Sequence, residues 1–218
     1  MNLKNIFTRE YIGGYYKRNQ KVIKLALIIF VLLFLLGFFT YNINNLGNDN
    51  KSLLHSKDLQ DNLSNALVDK NTLLSDSNFE GFIELYSHNL FVDLFAIFGG
   101  LLFSIPTLFF TAENVAMFGG IFSTVPLPLL LTSIIPHGIF EIPSSFFGLV
   151  GGLMFTQFEL RILRGLFSGK SSVKSEWNNS QDLLKDILLT IIIVIILLFI
   201  AALIELFVTP YLILMFIG

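Results

Sequence analysis

From Leu94 to Phe158 the chain runs for 65 residues with two formal charges, Glu113 and Glu141, and without a lysine or arginine. A helix crossing about 30 Å of hydrocarbon needs roughly 20 mainly apolar residues. The stretch is therefore long enough for three crossings. Hydrocarbon offers no water to the backbone, so only helices and closed barrels span it. Apolar residues here are continuous rather than alternating, which selects helices.

Composition agrees across the whole chain. Charged residues make up 14%, against roughly 25% in soluble domains. Hydrophobic residues make up 54%, and 24 of the 218 residues are phenylalanine. This excludes a disordered chain, a collagen-like chain and an ordinary soluble globule. The net charge of −2 leaves no basic face to follow a phosphate backbone, which excludes nucleic-acid partners. With no cysteine, a disulfide framework, a thiol nucleophile and a Cys-ligated zinc are excluded too.

Hydropathy predicts an all-α polytopic membrane bundle with five transmembrane helices at 25–41, 89–112, 115–135, 137–158 and 187–208. Basic residues precede the first span and no small-x-small cleavage site follows it, so it reads as an uncleaved signal anchor. Six basic residues lie in 1–24, five in 159–186 and three in 42–88. With the N-terminus inside, the first two groups are cytoplasmic, satisfying the positive-inside rule. The C-terminus is then outside, and the location is the plasma membrane.

The flanking segments read as follows. Residues 1–24 place Tyr11, Tyr15 and Tyr16 beside Lys17 and Arg18, which suits an interfacial helix on an anionic leaflet; a charged flank that only sets topology fits equally. Residues 42–88 form an acidic outer segment of net charge −4. Its leucines at 53, 54, 59, 63, 67, 73 and 74 predict one or two surface helices. Asn50-Lys51-Ser52 and Asn62-Leu63-Ser64 fit the glycosylation pattern. Residues 159–186 read as a basic cytoplasmic loop, its centre from Ser168 to Ser180 rich in Ser, Lys and Asn. No phosphate-cradling or other cofactor motif occurs. Residues 209–218 are apolar but too short to cross again. They either extend the last helix past Pro210 or lie in the interface.

All six prolines lie in or beside the spans. Each frees a backbone carbonyl that neighbouring helices must satisfy, so spans two to four are predicted to be kinked or broken. Gly148 and Gly152, spaced i and i+4, allow close helix packing, within this bundle or between two copies. Glu113 and Asn114 fall at the expected inner turn between spans two and three, where Asn suits a turn or cap.

Ionisable groups at membrane depth are costly and mark candidate sites. Pro136-His137-Gly138-Ile139-Phe140-Glu141-Ile142-Pro143 is the densest cluster. His137 and Glu141 share one helix face. The predicted topology puts His88, Asn89, Asp93, His137, Glu141 and Glu205 in one half of the membrane, able to converge from three helices. Three readings compete: a structural tie between helix ends, a binding or transport site for a proton, ion, lipid or partner helix, and a metal or acid–base hydrolase. Zinc hydrolases use three protein ligands with a local spacing such as HExxH; a single HxxxE is weaker, so neither a catalytic residue nor a metal is assigned.

Residues 135–143 resemble the PHG-x-x-E-[IL]-P motif of the stage II sporulation protein M family, also called domain of unknown function 95. Ser87-His88-Asn89-Leu90 is similar to the family's opening of the second span, where relatives often read Asn-Asn. Asn114 matches a position where relatives often read Asn-Gly, with Val115 replacing the glycine. Phe147 to Gly152 resembles the glycine-rich continuation of the fourth helix. The resemblance implies an integral membrane protein of about five helices. In endospore formers such a protein scaffolds two peptidoglycan-degrading partners in an engulfment complex; elsewhere the family's role is unsettled. It implies for His137, Gly138 and Glu141 the status of signature residues. The resulting expectation is a non-enzymatic anchor or scaffold of a membrane or cell-envelope complex. Its partners are the bilayer and membrane or envelope proteins, which would meet it at 42–88 or 159–186. The alternatives are a permease-like component using His137 and Glu141 and, third, an intramembrane hydrolase.

Overall fold

The computed structural model describes residues 6–46, 79–167 and 172–217. The outer segment's leucine pattern and both glycosylation sites lie outside the described residues. Among the described residues the secondary structure is entirely helical. In chain order the helices are α1 (Arg9–Leu46), α2 (Phe79–Phe98), α3 (Ile105–Thr124), α4 (Ile135–Phe167), α5 (Val173–Asn179), α6 (Gln181–Phe207) and α7 (Thr209–Ile217). A 3-10 turn, Gly99–Leu102, links α2 to α3. A helical lead-in, Leu127–Leu129, and a π-helical segment, Leu130–Ile134, run into α4. Five helical stretches are long and apolar enough to cross a membrane: Arg9–Ile43, Phe79–Leu102, Ile105–Thr124, Leu127–Phe167 and Gln181–Phe207.

The number of spans matches the hydropathy reading, but the turns differ. The chain does not turn at Glu113–Asn114: both lie inside α3. It turns at 99–104, about ten residues earlier, where Phe103 and Ser104 take left-handed backbone angles, φ 53° and 59°. Such angles are strained for residues with a Cβ. Side chains of α4 hold them. Glu159 accepts the Phe103 N–H at 3.2 Å, Thr156 donates to the Gly100 carbonyl at 2.7 Å, and the Ser104 and Thr156 hydroxyls bond to each other. Pro106 then sits in the first turn of α3, where its missing N–H costs nothing. The next turn falls at Val125–Pro126 instead of 135–136, so the fourth crossing begins at Leu127. Arg161 and Arg164 belong to α4, not to a loop, and α6 begins at Gln181. Residues 209–217 form a separate helix, with Pro210 again in its first turn.

Contacts divide the chain into two units. The first comprises Met1–Val31, Leu90–Glu113 and Pro143–Ile196. Here Gly152 lets α4 approach the Ala96 carbonyl and the Thr107 side chain, where a Cβ has no room. Of the i, i+4 glycine pair, Gly152 therefore serves close packing within the chain. The N-terminal segment is continuous with α1 and docks on α6 rather than standing alone as an interfacial helix. Arg18 grips Asp186 with two bonds, Nε to Oδ2 at 3.0 Å and Nη2 to Oδ1 at 2.6 Å. Asn19 adds a bond to the same carboxylate at 2.7 Å, and Tyr15 bonds Thr190 at 2.6 Å. Tyr11 stacks under the Arg18 guanidinium, 3.9 Å from Cζ to the ring centre.

The second unit comprises Leu32–Asn89, Asn114–Ile142 and Leu197–Gly218. In it α1 and α3 cross at glycines: Gly37 faces the Ala116 backbone and Gly119 faces the Phe34 carbonyl. Phe82 and Tyr86, one turn apart on α2, both meet the Phe199 ring of α6 edge-on, at 5.5 and 5.9 Å. Helix α7 packs on the π-helical segment.

Candidate functional site

The site is built where α4 begins. Pro136 has no N–H to give the carbonyl four residues back, and its ring would collide with it. The chain relieves this by widening to a π-helical turn over Leu130–Ile134, a local distortion that often accompanies functional sites. Thr132 and Ser133 donate their hydroxyls to carbonyls at 128 and 129. Regular helix resumes directly before His137, which projects into the second unit with 9% of its surface accessible. Glu141 follows one turn later on the same face. Pro143, inside α4, breaks the hydrogen-bond ladder again just beyond it.

Two further helices complete the site. On α2, Asn89 lies one turn beyond Tyr86, on the face that the aromatic contact turns toward α6. It donates Nδ2 to Glu141 Oε1 at 2.6 Å. On α6, Glu205 comes about two turns after Phe199. One nitrogen of His137 and one carboxylate oxygen from each of Glu141 and Glu205 lie within 4.8 Å of one another. The Nδ1 atom of His137 is buried and has no hydrogen-bond partner. These three residues could hold a metal ion. The described residues of this unit include no lysine or arginine, so no described side chain there offsets the two acids with a permanent positive charge.

The other candidates separate from this group. Asp93 belongs to the first unit, is 3% accessible, and accepts a hydrogen bond from Ser144 at 2.5 Å. Gly148 faces Asp93 at ordinary contact distance. His88 lies on the exposed face of α2, away from the buried side on which Asn89 sits. Gly138 is buried, yet a Cβ there would meet only Ile134 and Ile142 side chains, at 3.9 Å. Glu113 is exposed on α3.

The sequence model described as Stage II sporulation protein M matches residues 26–210, a span that includes every residue of the site. The chain belongs to the stage II sporulation protein M family. An uncharacterized protein of Methanocaldococcus jannaschii is 30% identical over 194 residues, covering 86% of this chain and 95% of the archaeal one. No solved structure gives a significant match. Family membership and five apolar helices together make this a membrane protein.

Sequence reasoning missed Asp186, Asn19 and Thr190. Asp186 is the best-bonded acid described in the first unit, yet it reads as a loop residue when the fifth span is started at 187. The signal was present: an Asp directly before a long apolar run, with arginine in the basic N-terminal segment.

Proposed function

We propose that this protein anchors or organises a membrane or cell-envelope complex in the plasma membrane, with its N-terminus inside, and is not itself an enzyme. The observation that carries this reading is Glu113. It is the ninth residue of the twenty in α3 and is exposed, flanked by Ile105, Leu108 and Phe109, which are 72%, 39% and 62% accessible. An acidic side chain in the middle of a membrane helix costs about 3 kcal/mol if it faces lipid. A partner helix that offers a hydrogen-bond donor or a cation removes that cost. The basic residues near the start of α1 and the end of α4 support the orientation, and the family's scaffold role in endospore formers is consistent with it.

The test is purification from native membranes of the wild type and of Glu113→Leu, with partners identified by mass spectrometry. The expected outcome is loss of at least one membrane partner with no drop in thermal stability, since Leu suits lipid better. An unchanged partner set would sink the reading. A second reading, a permease-like component, is favoured by the buried His137, Glu141 and Glu205 group. It predicts that Glu141→Gln keeps the fold and the partners but abolishes flux of the transported species.

A further inference from the structure

We infer that His137, Glu141 and Glu205 form a binding site for one divalent transition-metal ion, zinc in the first instance. The inference does not depend on the anchor reading, since a scaffold and a permease could each carry such a site.

Three observations point to a cation. Two carboxylates and an imidazole present ligand atoms within 4.8 Å of one another. Around zinc, ligand atoms stand about 2.0–2.2 Å from the ion, so binding would draw these atoms to about 3.4 Å apart in a tetrahedral site. Next, the donor set suits a dication in a low-dielectric interior, where net charge is costly. A divalent ion with two carboxylates is neutral overall, the state such an interior favours. Finally, His137 Nδ1 is buried without a partner. A proton shared between the two glutamates would leave this nitrogen unsatisfied. A metal ion bound through Nδ1 would engage all three groups.

The donor set also selects the ion. Magnesium and calcium prefer oxygen ligands alone, whereas imidazole with carboxylates suits zinc, iron and other first-row ions. Three protein ligands leave a coordination position open for water or an incoming group. Asn89, 2.6 Å from Glu141 Oε1, is a positioning residue that orients the carboxylate. The i, i+4 pair comes from α4 and the third ligand from α6, so the ion would clamp these two helices in the second unit.

The experiment uses full-length, untagged protein in detergent, stripped with a chelator and titrated with zinc chloride. Elemental analysis counts bound zinc, and thermal denaturation is recorded with and without it. The expected result is one zinc per chain, raising the melting temperature. Binding should be at least about 100-fold weaker in His137→Ala and in Glu205→Gln, and roughly 10- to 100-fold weaker in Asn89→Ala. His88→Ala should bind like the wild type. If His137→Ala fails to fold, cobalt replaces zinc in the wild type, and a visible absorption band of nitrogen–oxygen ligation, lost in Glu205→Gln, supports the site. The inference is overturned if no zinc or cobalt binds stoichiometrically. It is equally overturned if Glu205→Gln binds like the wild type, or if His88→Ala removes the ion, which would mark an adventitious surface site.

Discussion

Asp186 in the first unit and Glu205 in the second are both acids on α6, in surroundings made mostly of apolar side chains. Asp186 is 2% accessible and lies in a two-bond pair with Arg18, with Asn19 as a third donor. Glu205 lies beside Glu141 and His137, with no lysine or arginine among the described residues of its unit. The first cluster joins an acid to an arginine, and the second joins two acids, an imidazole and the Asn89 amide, a donor set that can take up a cation. Asp93 stands between these extremes: the structure gives it a neutral donor, the Ser144 hydroxyl, in place of a cation.

The largest effect should come from breaking the Arg18–Asp186 cluster. Asp186→Leu leaves Arg18 half-buried without its partner, and losing one member of a buried pair costs about 3–5 kcal/mol. Arg18 keeps 30% of its side chain accessible, so the lower end, about 3 kcal/mol, is expected. Combining it with Arg18→Met should recover most of the loss, because an apolar pair can replace a buried ion pair. Denaturation in detergent measures both. If Asp186→Leu proved no worse than the double variant, the pair would not be the tie described here.

A middle-sized effect is expected at Asp93. Ser144→Ala removes a buried donor and should cost about 1–3 kcal/mol. The measurement is the same denaturation, with Ser144→Thr as the variant that keeps the hydroxyl. Loss in Ala with retention in Thr assigns the effect to the hydrogen bond. Equal loss in both would make the position a matter of packing volume.

The comparison also explains what the sequence revealed. Five apolar helices and the His137–Glu141 pairing were legible, because hydropathy and an i, i+4 spacing are local properties. The turn between α2 and α3 was not. Leu101, Leu102 and Phe103 keep the hydropathy high through it, and its backbone groups are capped by Thr156 and Glu159, more than fifty residues away. The same error misplaced Glu113 and Asn114, which share a helix with apolar neighbours and need no turn. Glu205 could be placed beside His137 only by knowing how α6 packs, and Asp186 only by knowing that the N-terminal helix reaches it.

The smallest effect is the most pointed, because it sets two glycines against each other. In the first unit a Cβ at Gly152 would run into Thr107 and the Ala96 carbonyl. Gly152→Ala should cost about 1–3 kcal/mol through overpacking. In the second unit Gly138 has room for a methyl group, with nothing nearer than 3.9 Å. Replacing a helical glycine with alanine there should gain up to about 1 kcal/mol, by lowering the freedom of the unfolded chain. Gly138 is thus not required by packing, although it lies between the two α4 residues of the ligand group. If Gly138→Ala is stable yet binds zinc more weakly than the wild type, the bare backbone serves the ligand's approach. If it destabilises as much as Gly152→Ala, the second unit is as tightly packed as the first, and the contrast between a packed tie and a roomier ligand group loses its footing.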